Sequence, residues 1–354
     1  MLDVVLPPGI SFYTFQALAY ITDVYFKKLK PAENLIDYAL FISFFPHLIA
    51  GPIQRPGHLL PQTQHPRSYD AVKVFDGLQL IAYGLFRKCV IADNCALLAN
   101  AAFGGRLGEP SLPVLLLGAY AFAWQIYGDF AGYSDIARGS AQLMGFHFMV
   151  NFKQPYLATS LQEFWRRWHI SLSTWLRDYL YFPLGGNRFG ELLTYRNLLL
   201  TMLIGGFWHG ANWTFLIWGG IHGLGLALER WMKWAESAAT GLTSVTAWIR
   251  RILIFNVVCI AWVFFRAESL DQAWRMLAGA SRWNWRPEYV GAVTFLVFFA
   301  SAQVLMDVLV ESQGAEYPMA AGPLSLRVSA AIAAIVITTM FAGSQASAFI
   351  YFQF

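Results

Sequence analysis

The chain has 354 residues, of which 13% are charged and 57% apolar, with a mean hydropathy of +0.45 and a formal net charge of +4. A soluble domain carries about 25% charged residues, so this composition excludes an ordinary soluble enzyme and puts the chain in a bilayer. The small, dispersed positive charge gives nucleic-acid binding no support; Lys/Arg clusters at helix ends report topology instead.

A bilayer core of about 30 Å takes about 20 mainly apolar residues in helical form. The stretches 111–128, 197–228, 289–306 and 328–354 contain no Asp, Glu, Lys or Arg. Outer-membrane barrels show short alternating segments instead, so the expected fold is an all-α polytopic bundle. The first apolar segment, 10–25, is closed by Lys27, Lys28 and Lys30, and the second, 35–53, by Pro52, Arg55 and Pro56. Ahead of them, Met1-Leu2-Asp3 lacks a basic leader, so insertion is expected to rely on the helices themselves. Segments 74–98 and 112–130 follow, and 54–70, rich in Pro, His and Gln, reads as an external loop, as does 187–191.

The run 197–228 is interrupted by Gly205, Gly206, Gly210, Gly219 and Gly220, which predicts a broken helix or two short ones. Segments 252–265, 289–306 and 328 onward complete about eight or nine hydrophobic stretches by the span rule. There is no internal repeat of the transporter kind, and residues 1–354 read as a single domain. Cys89, Cys95 and Cys259 share no redox or ligand spacing and read as inert packing. Without His-Glu-x-x-His or Cys-x-x-Cys spacing, the seven histidines give no metal site.

Between residues 161 and 180, helical spacing puts Trp165, Trp168, Leu172, Trp175, Leu176 and Tyr179 on one face and Arg166, Arg167, Arg177 and Asp178 elsewhere. This predicts an amphipathic helix that lies in the interface or re-enters the membrane. His169 sits at the edge of the aromatic face, either as a hydrogen-bonded packing residue or as a functional one. His209 lies in the middle of the longest charge-free run, where ionisable groups are functional by default. An apolar setting favours neutral imidazole, which suits a general base. Its glycine neighbours fit a closely approaching thioester or, equally, helix packing. Asn212 is expected to share its helical face and donate a hydrogen bond, while His222 reads as packing. Asp129 and Asp135 at the end of an apolar span are expected to pair with Arg138, Arg166 or Arg167 rather than to catalyse. No Gly-x-Ser-x-Gly elbow supports a serine hydrolase.

Taken together, "GISFYTFQALAYITDVY", "FFPHLIAGPIQRP", "GDFAGYSDIARG", "EFWRRWHISLSTWLRDYLYFPLGGNR", "GGFWHGANWTFLIWGGIHG" and the terminal "FIYFQF" resemble the membrane-bound O-acyltransferase family, most of all its bacterial alginate O-acetylase branch. The resemblance implies helices around a funnel or tunnel and two characteristic histidines, here His169 and His209, the second catalytic. With it come Trp208, Asn212 and Trp165 as candidate substrate contacts. It further implies acetyl-CoA or another acyl donor as substrate, with no bound cofactor. The acceptor would be an alginate-like exopolysaccharide modified outside the bacterial inner membrane, with periplasmic acetyltransferase partners. The same scaffold serves D-alanyl transfer and acetylation of peptidoglycan or other glycans. Relatives of this branch carry several spans ahead of "GISFYTF", so the family's N-terminal spans are expected to be missing here. The competing class is a non-enzymatic transporter or scaffold whose buried histidines only join helices.

Overall fold

A computed structural model describes residues 9–235 and 241–342, and among them every regular element is helical. The chain is an all-α membrane protein. Helix α1 (Ile10–Tyr25) leads into short α2 (Leu35–Ser43) and α3 (Pro56–Gln64). The segment expected as an external loop is therefore partly helical: Pro56 opens α3 at its first turn, where a missing N–H costs nothing. Helices α4 (Ala71–Leu85) and α5 (Asp93–Phe103) are joined by a π-helical stretch, Phe86–Ala92.

Among the described residues, four helices are long and apolar enough to cross a membrane: α6 (Leu112–Leu143), α11 (Val245–Arg266), α13 (Tyr289–Gln313) and α14 (Leu324–Phe341). The most apolar stretch of α6 is 83% buried in protein and that of α14 only 6%; α6 is the central post and α14 shows its apolar surface to lipid. The terminal "FIYFQF" lies outside the described residues. Short α7 (Leu161–Arg167) and α8 (Ile170–Leu176) precede α9 (Glu191–Trp208) and α10 (Trp213–Trp231), and α12 (Leu270–Ala278) follows α11. One hydrophobic cluster runs from Phe12 to Ala334.

Glycines set how closely the central helices approach. A Cβ on Gly84 of α4 would stand 2.7 Å from the Gly132 carbonyl of α6, and one on Gly139 only 2.4 Å from the Gly77 carbonyl. Backbones can meet this closely only where both surfaces are small, the usual device for helix association in lipid.

The π stretch beside this contact sends two consecutive cations toward acidic partners. Arg87 pairs with Asp135 of α6 and lies 3.6 Å from Asp307 of α13, which also accepts the Tyr127 hydroxyl proton at 3.0 Å. Lys88 bonds Asp129 and Asp93, each at 2.8 Å. The carboxylates are ion-paired, as expected, and of the expected partners Arg138 approaches Asp135 at 3.8 Å. Arg167, however, is taken by Glu163 and Glu311. Stripping one partner from a buried pair costs about 3–5 kcal/mol, so this cluster ties α6 and α13 to the π turn.

Gly84→Leu should cost about 1–3 kcal/mol or more, because backbone rather than a movable side chain stands in its way. Fluorescence-detected size exclusion after a thermal ramp checks this, expecting a lowered melting point and loss of the monodisperse peak.

Candidate active site

The 161–180 segment is not one amphipathic helix. Ser160 caps α7 by accepting the Glu163 N–H at 3.0 Å, and the Glu163 carboxylate accepts the Thr159 N–H at 2.7 Å, a reciprocal cap. Burial pushes the Glu163 carboxyl up, but the Thr159 N–H and the Arg167 charge outweigh it and hold it below the usual range. Arg167 extends this bridge to Glu311 of α13 at 2.8 and 2.9 Å.

The helix then stops, because His169 turns left-handed at φ 41°. Such a conformation costs a non-glycine residue about 1–3 kcal/mol and survives where its surroundings impose it. The surroundings here are Asn151: its carbonyl accepts the Ile170 N–H at 2.9 Å, and its Oδ1 accepts the Ser171 N–H at 3.3 Å and hydroxyl at 2.9 Å. The break turns the His169 ring inward, 1% exposed. Phe130 meets it edge-on at 4.6 Å, Phe12 and Phe152 stack at 6.4 Å, and Nδ1 lies 3.1 Å from Asn151 Oδ1.

The glycine-broken run 197–228 forms the hairpin α9–α10. A Cβ on Gly206 would sit 2.3 Å from the Phe215 carbonyl, and one on Gly219 2.3 Å from the Met202 carbonyl. These contacts clamp the helices and hold the turn 209–212 between them. His209 is the residue after α9, half-buried, with its ring 4.7 Å from Trp208, 5.0 Å from Phe265 and 5.2 Å from Trp218. The His169 ring lies 6.5 Å from that same Trp208 indole. The two histidines, 40 positions apart in sequence by their numbers, thus flank one indole.

Asn212 does not share a helical face with His209, because α9 ends first. It caps α10 instead, accepting the Thr214 N–H at 3.1 Å and donating to the Glu268 carbonyl at 3.3 Å. Trp165 donates its indole N–H to His222 Nδ1 at 3.3 Å. His222 is fully buried at 0% exposure among Phe164, Trp165 and Trp218. Asn151 has no motif spacing relative to the histidines, and Ser171, although two residues from His169, gives no sign of its role in the sequence; only the fold brings Asn151 to His169.

A cavity of about 880 Å³ opens between α7–α8 and α9–α10, with Ile170, the residue after His169, in its lining. Ile170, Leu176 and Met202 line it together with Arg166, Arg177, Arg230, Lys233, Glu191 and Glu229, and Glu191 pairs with Arg230 at 2.7 Å. At 1.5 Å per residue it reaches about 16 Å along α9 from Glu191 to Met202. Trp165 stands in its wall.

The family model described as membrane-bound O-acyltransferase matches residues 27–269. The chain is 50% identical over 275 residues to a probable alginate O-acetylase of Azotobacter vinelandii, covering 78% of this chain and 54% of the relative. It is 41% identical over 309 residues to a peptidoglycan O-acetyltransferase of Helicobacter pylori, covering 78% and 57%. To a teichoic acid D-alanyltransferase of Streptococcus thermophilus it is 29% identical over 293 residues, covering 75% and 69%. The chain spans about half the length of the alginate relatives it matches.

Asn212→Ala should cost about 1 kcal/mol by removing the α10 cap, and Asn212→Ser should recover most of it. Thermal unfolding of both variants checks this; equal stability of the two would remove the capping role.

Proposed function

We propose, since the chain belongs to the membrane-bound O-acyltransferase family, that it transfers an acetyl group from acetyl-CoA to hydroxyls of an alginate-like exopolysaccharide. The observation that carries this is that His169 and His209 flank one indole within a membrane protein that also holds a cavity lined in part by arginine and lysine.

His209, the more accessible imidazole, takes the proton of the acceptor hydroxyl as its oxygen attacks the thioester carbonyl. A C–O bond forms, the C–S bond breaks, and the proton passes on to the departing thiolate. Such general-base action contributes about 10²- to 10⁴-fold in rate. His169 works on the same centre as a hydrogen-bonding partner of the acceptor, and Trp208 fixes the spacing of the two rings. Trp165 shapes the donor cavity, while Asn212 holds the turn that carries His209.

The 880 Å³ cavity suits a phosphate-bearing donor: Arg166 and Lys233 meet the phosphates, beside Arg177 and Arg230, which Asp178 and Glu191 engage, and Ile170, Leu176 and Met202 meet the pantetheine arm. Lys27, Lys28 and Lys30 follow α1, whose Asp23 accepts the Tyr179 hydroxyl at 2.8 Å, in the same π-helical turn as the cavity-lining Arg177 and Tyr181. Under the positive-inside rule that end is cytoplasmic. The donor then enters from the cytoplasm of a bacterial inner membrane, and periplasmic acetylation proteins receive the group on the far side.

Purified His209→Ala should keep its fold and lose at least about 10²-fold in acetyl transfer from acetyl-CoA; retained turnover would return His209 to packing. Arg166→Ala and Lys233→Ala should each raise KM for acetyl-CoA by about tenfold or more with kcat kept, the scale of one charged hydrogen bond. Acetyl content of alginate and of peptidoglycan in a deletion strain, with and without the gene restored, identifies the acceptor.

A further inference from the structure

The hydrogen bonds around Asn151 decide which nitrogen of His169 carries a proton. An amide oxygen and nitrogen are told apart by their partners. Here the Ser171 backbone N–H, which can only donate, points at Asn151 Oδ1, so that atom is the oxygen. The Ser171 hydroxyl accepts the Ile53 N–H at 3.0 Å and spends its own proton on the same Oδ1 at 2.9 Å. Asn151 Nδ2 donates to Ser134 Oγ at 3.1 Å, which fixes the amide from its other side.

His169 Nδ1, 3.1 Å from that oxygen, therefore has to donate as well. In a neutral ring Nε2 is then the unprotonated nitrogen. That atom is fully buried and has no hydrogen-bond partner, a costly state for a polar group unless something arrives to fill it.

Building on the acyl-transfer reading, we propose that Asn151 is a positioning residue that locks His169 in its Nδ1–H form and so presents the Nε2 lone pair to a second hydroxyl of the acceptor sugar, next to the one that His209 deprotonates. The network reaches His169 from three directions, through Ser134 on α6, Ser171 on α8 and the loop backbone at Ile53. The same amide that imposes the left-handed turn thereby chooses the tautomer.

The groups around the ring matter for its pH response. Phe12 comes from α1, Phe130 from α6 and Trp208 from α9, with Phe152 from the preceding loop. His209 is the titratable group beyond Trp208. The α6 carboxylates Asp129 and Asp135 are engaged by Lys88 and Arg87.

The test uses the full chain in lipid nanodiscs with 15N-labelled histidine, the His169 signals being assigned by their loss in His169→Gln. At neutral pH the wild type should show His169 with Nδ1 protonated and Nε2 bare. Asn151→Leu, which removes the acceptor, should move the proton to Nε2 and lower kcat by tenfold or more. Asn151→Asp keeps an acceptor, so it should keep the Nδ1–H form and retain more activity than the leucine variant. Its negative charge should also move the acid limb of the kcat/KM profile upward by about one pH unit, a change that loss of packing alone does not produce.

A wild-type ring protonated at Nε2 would overturn the proposal, as would an Asn151→Leu protein that transfers at the wild-type rate. If Asn151→Leu does not fold, an unshifted acid limb in Asn151→Asp overturns it. The spectra need no turnover, so an inactive wild type would count against the acyl-transfer reading and leave the tautomer to be decided separately.

Discussion

The left-handed backbone at His169 is the constraint from which the site follows. In lipid or in a protein core an unsatisfied N–H is costly, and a helix that breaks there needs its freed donors collected. Asn151 collects two of them, the N–H groups of Ile170 and Ser171. Without it the 161–180 segment would follow its own helical periodicity, and the His169 ring would lie on the edge of an amphipathic surface. With it, the ring turns inward to the indole of Trp208.

That turn is useful only if the opposing histidine is held as firmly, and here the glycines of α9 and α10 decide. The hairpin closes over Gly206 and Gly219 with backbone meeting side-chain-free backbone, so the turn carrying His209 has little room to slide. Behind both lies the post α6, locked to α4 by paired glycines and to α13 through Arg87, Asp135 and Asp307. A bilayer offers helices no hydrophobic drive to associate with each other. Close packing and buried ion pairs take its place, and both converge on α6.

Much of this is legible in sequence. Charge-free runs announce the long helices, and the glycine interruptions announce the break in 197–228, because both signals are local and periodic. His169 and His209 stand out as polar residues in strongly apolar settings. The break inside 161–180 does not, since nothing in Trp-His-Ile-Ser forbids a helix; the cause is an amide 18 positions upstream. Asn212 was misplaced for a related reason: three residues' spacing implies a shared face only while the helix continues, and α9 has already ended. The ion pairs are expected in kind but only Arg138 in partner, because Arg87 and Lys88 reach their carboxylates through a π turn that spacing does not reveal.

A double-mutant cycle measures directly whether the two histidines serve one reaction centre. Single-turnover acetyl transfer would be followed for wild type, His169→Ala, His209→Ala and the double variant in the same nanodiscs. Groups that act as a unit are strongly non-additive, so the double variant should be scarcely slower than the worse single one. If instead the two losses multiply, the histidines act independently and the shared centre at Trp208 is contradicted.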